Sequence, residues 1–172
     1  YVGDWGLSAM AIPEIRFNKN PAYGSEFFPG AMPLPPEQIP EDGAENTEYA
    51  LAANGIFSGW DLSLYWAQHF DDNAHIVIRD GVPQLQHNRV TMVGLATNIA
   101  TGNWLFKGEV AHFSGLNYDS HPTEALSRTD TLLGAEYAGI RDTTLSLEIA
   151  NRHLNDYESA LAAEGIEKDE WQ

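Results

Sequence analysis

Three short turns recur about 40 residues apart, FSGWD at Phe57 to Asp61, ATGNW at Ala100 to Trp104 and AGIRD at Ala138 to Asp142, and long polar segments join one hairpin to the next. VGDW at Val2 to Trp5 carries the same punctuation, with glycine and Asp or Asn suited to the dihedrals of a tight hairpin. The repeating unit is therefore a hairpin. Reading outward from the turns predicts strands over Trp5 to Asn18, Glu48 to Phe57, Asp61 to Phe70, Val90 to Ala100, Trp104 to Phe113, Thr129 to Ala138 and Thr143 to Leu154. Most of these are longer than the strands of ordinary soluble sheets. The connections Lys19 to Thr47, Asp71 to Arg89, Ser114 to Arg128 and Asn155 onward all fall at the end opposite the short turns. A soluble meander has no need of that asymmetry, whereas a transmembrane barrel has short turns at one rim and long loops at the other. The predicted fold is all-β, an antiparallel up-and-down transmembrane β-barrel.

Side-chain alternation agrees, because successive residues of a strand point to opposite faces. From Trp104, one face carries Trp104, Phe106, Gly108, Val110 and His112, and the other Leu105, Lys107, Glu109, Ala111 and Phe113. The next two strands gather Leu133, Ala135, Tyr137, Leu145, Leu147 and Ile149 on one side and Asp130, Glu136, Glu148 and Arg152 on the other. Lipid against the first side and a wet lumen against the second would keep those carboxylates ionised. Lys107, Glu109, Asp130, Glu136, Glu148 and Arg152 are thus the lumen-facing candidates, with Glu14 and Arg16 of the first predicted strand as a further pair. Such charges either set solute preference or neutralise one another along the wall. Trp5, Trp60 and Trp104 flank the short turns. Indoles favour a membrane interface, so these three are expected to form half of an aromatic girdle; the alternative is that they plug the end of a soluble barrel. Gln68, Asn151 and His153 interrupt the apolar side near the outer ends, where polar groups cost less.

Bacterial barrels close with an even number of strands. The pattern shows seven, with DEWQ at the end entering an eighth. The expectation is one barrel segment over 1–172, seven to eight strands of a larger barrel. Within it, 19–47 is an irregular loop. Prolines at 21, 29, 33, 35, 36 and 40 forbid a regular helix or central strand there. Phe27 and Phe28 in its middle could fold into the lumen as a constriction, or the loop could pack externally on its neighbours.

Charge removes several classes of function. Nine Lys+Arg against 25 Asp+Glu give a net charge of -16, which repels phosphate backbones, so no nucleic-acid partner is expected. The acid concentrates between Glu37 and Glu48 and between Asp156 and Glu170, which read as solvated loops. Without cysteine there is no disulfide, thiolate zinc site or cysteine nucleophile. No apolar run is long enough for a membrane helix, and the first residues lack a signal-peptide layout. HExxH, GxSxG, phosphate-loop and EF-hand spacings are all missing. HFDDNAH, His69 to His75, has oxygen and imidazole donors but reads first as an acidic loop. His112 and Glu109 fall on opposite faces and form no dyad. The expectation is no enzyme, no catalytic residue, no cofactor and no metal.

The stretches WGLSAMAIPEIRFNKNPAYGSEFFP, EYALAANGIFSGWDLSLYWAQHFDD, WLFKGEVAHFSGLNY and RTDTLLGAEYAGIRDTTLSLEIANRHL together resemble the proteobacterial porin-like family called domain of unknown function 1302, of which the chain would be an interior stretch. The resemblance implies a bacterial outer-membrane barrel contacting outer-membrane lipid. Its expected role is passage of a small-molecule solute, hydrophobic or amphipathic, and no family binding residue carries over. Two other classes stay open on sequence: a soluble β-barrel or sandwich holding a hydrophobic ligand, and an outer-membrane enzyme acting on lipid.

Overall fold

Residues that alternate apolar with polar between left-handed turns pair as a meander. The computed structural model describes residues 3–28, 30–41 and 43–172. Val2 of the first turn, Pro29 of the proline-rich loop and Asp42 of the acidic run lie outside them. The strands are β1 (Trp5–Ile12), β2 (Glu37–Gln38), β3 (Glu48–Phe57), β4 (Trp60–Phe70), β5 (His75–Arg79), β6 (Val82–Gln86), β7 (Arg89–Thr101), β8 (Trp104–Tyr118), β9 (His121–Ile140), β10 (Thr143–Leu154) and β11 (Asp169–Trp171). The main sheet has eight strands in the order β1-β3-β4-β7-β8-β9-β10-β11, and every pairing in it is antiparallel. A smaller sheet has the order β2-β6-β5. All seven predicted strands are present. The main sheet is open: among the described residues β1 and β11 are its edges, at opposite ends of the strand order, and no bond joins them into a barrel.

The ends of the strands differ from expectation for identifiable reasons. β1 stops at Ile12, short of the predicted Asn18, because Pro13 has no N–H to donate to the ladder. Ser114 to Arg128 is not a loop. β8 passes through an irregularity at Gly115, where φ is +93°, continues to Tyr118 and returns as β9 from His121. The Glu164 carboxylate accepts the backbone N–H groups of Asp119 and Ser120 at 3.1 and 2.7 Å, which holds this projecting turn. The predicted loop Asp71 to Arg89 contains the β5–β6 hairpin, turning on Asp80 and Gly81 with φ of +53° and +77°. After β10 the chain forms a 3-10 helix, Ser159–Glu164, and then β11.

The buried core lies at the long-connection end. Leu126, Leu154 and Leu161 form a buried cluster, with Tyr118, Tyr157 and Ile166 against it. Val77 and Leu85 are buried in the small sheet, which joins the projecting turn where Ile76 N–H donates to Asp119 at 2.6 Å. The 19–47 loop is tied to the same end. The Phe17 and His87 rings stack with centroids 3.4 Å apart, and the two His87 nitrogens lie 2.8 Å from Glu37 Oε1 and 2.7 Å from the Asp71 carbonyl. Arg89 lies over the Phe70 ring and donates to the carbonyls of Thr47 and Glu45.

Candidate functional site

Because the strands stay in register from β3 to β10, residues of one parity form continuous rows across the main sheet. Towards the short turns one row is Asp61, Asn98, Lys107, Gly134 and Glu148, and Glu136 lies in the next row, nearer those turns, opposite Leu105 and Ser146. Two residues further along each strand lies Ser63, Ala96, Glu109, Leu132 and Ala150, and then Tyr65, Gly94, Ala111, Asp130 and Arg152. The next row holds Ala67, Met92, Phe113 and Arg128. Lys107, Glu109, Asp130, Glu136, Glu148 and Arg152, from three strands, therefore share one face.

Ion pairs link most of these groups. Lys107 Nζ donates to Glu136 Oε1 at 2.5 Å and to Glu148 Oε1 at 3.3 Å. Asp130 is 2.9 Å from Arg128 Nε and 3.8 Å from Arg152 Nε, and Arg152 reaches Glu170 of β11 at 3.0 Å. Asn98 donates to both carboxylate oxygens of Asp61 at 3.1 Å. Lys107, Arg128 and Arg152 thus stand against Glu48, Asp61, Glu109, Asp130, Glu136, Glu148 and Glu170 on this face, an excess of negative charge. Between the charged rows the small side chains of Gly94, Ala96, Ala111 and Ala150 leave a trough of about 300 Å³, bordered by Tyr65 and Met92.

The opposite face is apolar and uncovered. Leu133, Leu145, Leu147 and Ile149 are 58, 55, 76 and 50% exposed, and Leu7, Leu51, Leu64, Val93, Leu95, Phe106 and Val110 are exposed with them. Trp5, Trp60 and Trp104 lie on this face at the short-turn end. Trp5 meets Phe57 edge-on at 5.9 Å, Phe57 stacks on Trp60 at 4.2 Å, and Trp104 packs on Phe106 and Tyr137 at 5.8 and 4.7 Å. The three indoles belong to one aromatic row, interleaved with phenylalanine and tyrosine.

Two other expected groups stand apart from the charged rows. Arg16 donates to Glu14 at 2.7 Å, so the pair forms, but in irregular backbone beyond the end of β1 and not on a strand. Phe27 is 75% exposed and Phe28 packs edge-on against Tyr23 of its own loop. In HFDDNAH, His69 bonds the Phe70 carbonyl and Asp71 accepts from Asn73. Among the described residues no group of three or more His, Asp or Glu has metal-holding geometry.

Sequence reasoning missed Arg128, Asp61, Glu170, Tyr65 and Met92. Arg128 has the parity of Asp130 in the same strand, which was the available signal, but the residue sits where a loop was expected to end. Glu170 lies in a three-residue strand, too short to show a period.

The family described as Protein of unknown function (DUF1302) matches residues 6–171, so the chain belongs to that family. Neither a search of curated proteins nor one of solved structures found a match.

Proposed function

We propose that this DUF1302 family member forms part of the wall of a porin-like β-barrel in the bacterial outer membrane, passing a small, amphipathic or hydrophobic solute. Its leucine-bearing face meets lipid, and its charged face lines the passage. The observation that carries the reading is the opposition of the two faces along the same strands, with Leu147 76% exposed next to Glu148 in an ion pair. A soluble sandwich would bury such a continuous apolar face, and large uncovered patches of this kind mark membrane or partner contact. The dimensions agree. From Trp104 to Ser114, β8 advances about 34 Å at ~3.4 Å per residue, and a tilt of ~40° reduces that to about 26 Å of depth, close to the apolar band of outer-membrane barrels. The Trp5, Trp60 and Trp104 row then serves as the interfacial girdle at the short-turn rim. The excess of carboxylates on the charged face favours neutral and cationic solutes over anions. The reading assigns transport and no reaction.

None of these 172 residues is cysteine, so single-cysteine labelling, with any cysteine elsewhere in the full-length protein replaced by serine, tests the two faces directly. In the full-length protein reconstituted in lipid vesicles, Glu148→Cys should react with a charged, water-soluble thiol reagent. Leu147→Cys should resist it, and a fluorophore placed there should be quenched by brominated lipid. Equal aqueous reactivity at the two positions would sink the proposal.

A further inference from the structure

Glu109 differs from the other carboxylates of the charged face. On β8 to β11, Glu136 and Glu148 share Lys107, while Asp130 and Glu170 are neutralised by Arg128 and Arg152. Glu109 has no ion pair or side-chain hydrogen bond among the described residues, and its cross-strand neighbours are Ala96 and Leu132. It borders the trough described above. The trough floor exists because β7 has glycine at position 94: a Cβ built there would lie 3.3 Å from Met92 Sδ and 3.7 Å from Tyr65 Cβ. On the far side of that floor stands Tyr65, 39% exposed, an aromatic ring of the kind that attracts a flat or cationic group. Met92 adds a polarizable, adaptable thioether wall. The cavity thus has an aromatic ring and a thioether at one end, the unpaired Glu109 in its middle beyond a small-residue floor, and at its other end Arg152 held by Asp130 and Glu170.

We propose that this trough is a subsite for amphipathic monocations, small molecules with one ammonium group and an apolar or aromatic body. The ammonium pairs with Glu109, and the body lies over Gly94 and Ala96 against Tyr65 and Met92. An anion of the same shape meets Glu109 unfavourably. A neutral analogue keeps the apolar contact and loses the charge-assisted one. The proposal rests on the reading of this face as the wall of a solute passage, and it names the class of solute that the wall holds.

Calorimetric titration of the full-length protein in lipid nanodiscs tests it, with phenethylammonium, phenylethanol and phenylpropionate as probes and empty nanodiscs as the blank. The wild type should bind the ammonium about tenfold more tightly than the alcohol, with the carboxylate weakest. Glu109→Gln should bring the ammonium to the level of the alcohol, Gly94→Leu should weaken the ammonium and the alcohol together, and Asp142→Asn in an exposed turn should keep the wild-type order. Equal wild-type affinity for ammonium and alcohol, or an unchanged preference in Glu109→Gln, would overturn the subsite. Conductance of the same preparation in planar bilayers separates the two claims. Cation-selective binding without conductance defeats the passage and leaves the subsite standing, whereas conductance without that preference does the reverse.

Discussion

Single residues carry strain and charge that substitution will expose. Gly115 combines φ of +93° with a Cβ position 2.5 Å from the Arg89 carbonyl oxygen. Any side chain there must adopt a left-handed backbone and displace β7. Gly115→Ala should therefore destabilise the projecting β8–β9 turn by about 1–3 kcal/mol, read as a lower midpoint in denaturant titration. His75 is 3% exposed, and its buried Nε2 has no hydrogen-bond partner among the described residues. Burial holds its imidazole below the ordinary 6.5, against the opposing pull of the Pro122 carbonyl and of Asp119 and Asp71. The folded hairpin keeps this ring neutral while the unfolded chain takes up a proton near 6.5. Below 6.5 the unfolded state binds more protons, so stability falls as pH drops towards the lowered folded value and then levels off. Amide exchange protection in β5, corrected for intrinsic rates, should decline over that window. In His75→Gln the decline should flatten, and an equally steep one would refute the assignment.

At the scale of elements, the long-connection end is a set of clasps. His87 joins Phe17, Glu37 and the Asp71 carbonyl, so a single ring holds the segment after β1, the short β2 and the entry to the β5–β6 hairpin. His87→Ala should release the 19–47 loop and raise its cleavage by added protease severalfold, with the main-sheet spectrum unchanged. Unaltered cleavage would show that Arg89 and its bonds to Glu45 and Thr47 suffice. Much of this end was poorly legible in sequence. The β5–β6 hairpin did leave a trace, because HIVIRDGVPQLQ has Asp-Gly at its centre, the pair that a tight hairpin turn prefers. The segment read as a loop because it is a long polar connection at the end opposite the short turns. The 3-10 helix had no comparable signal, whereas β11 is the eighth strand that DEWQ was expected to enter; each is held by contacts made elsewhere, Leu161 in the cluster with Leu126 and Leu154 and Glu170 on Arg152.

For the whole molecule, the prediction is that the two faces respond to opposite chemistry. In a conducting full-length protein, Glu136→Leu or Glu148→Leu should shift cation selectivity more than Leu133→Ala or Leu147→Ala, as read from reversal potentials under a salt gradient. Equal shifts would place the charged row outside the passage. Charging the other face should act on stability instead. Leu147→Arg should cost about 2–4 kcal/mol if the position lies near the membrane middle, measured by folding titration into lipid bilayers. A cost within the noise of that titration would remove Leu147 from the hydrocarbon.

The sequence by itself determined the seven long strands, their short turns and the division of Lys107, Glu109, Asp130, Glu136, Glu148 and Arg152 from the leucines. Those features follow from a period of two and from turn residues, which are local properties of the chain. Tertiary structure decided what register and long-range contact control: the projection of β8 and β9 past Phe113, the small sheet clasped by His87, the pairing of Lys107 with two glutamates, and the trough over Gly94 that Glu109 lines. Each depends on which residue of one strand comes to lie opposite which residue of another, and no window along a single strand contains that information.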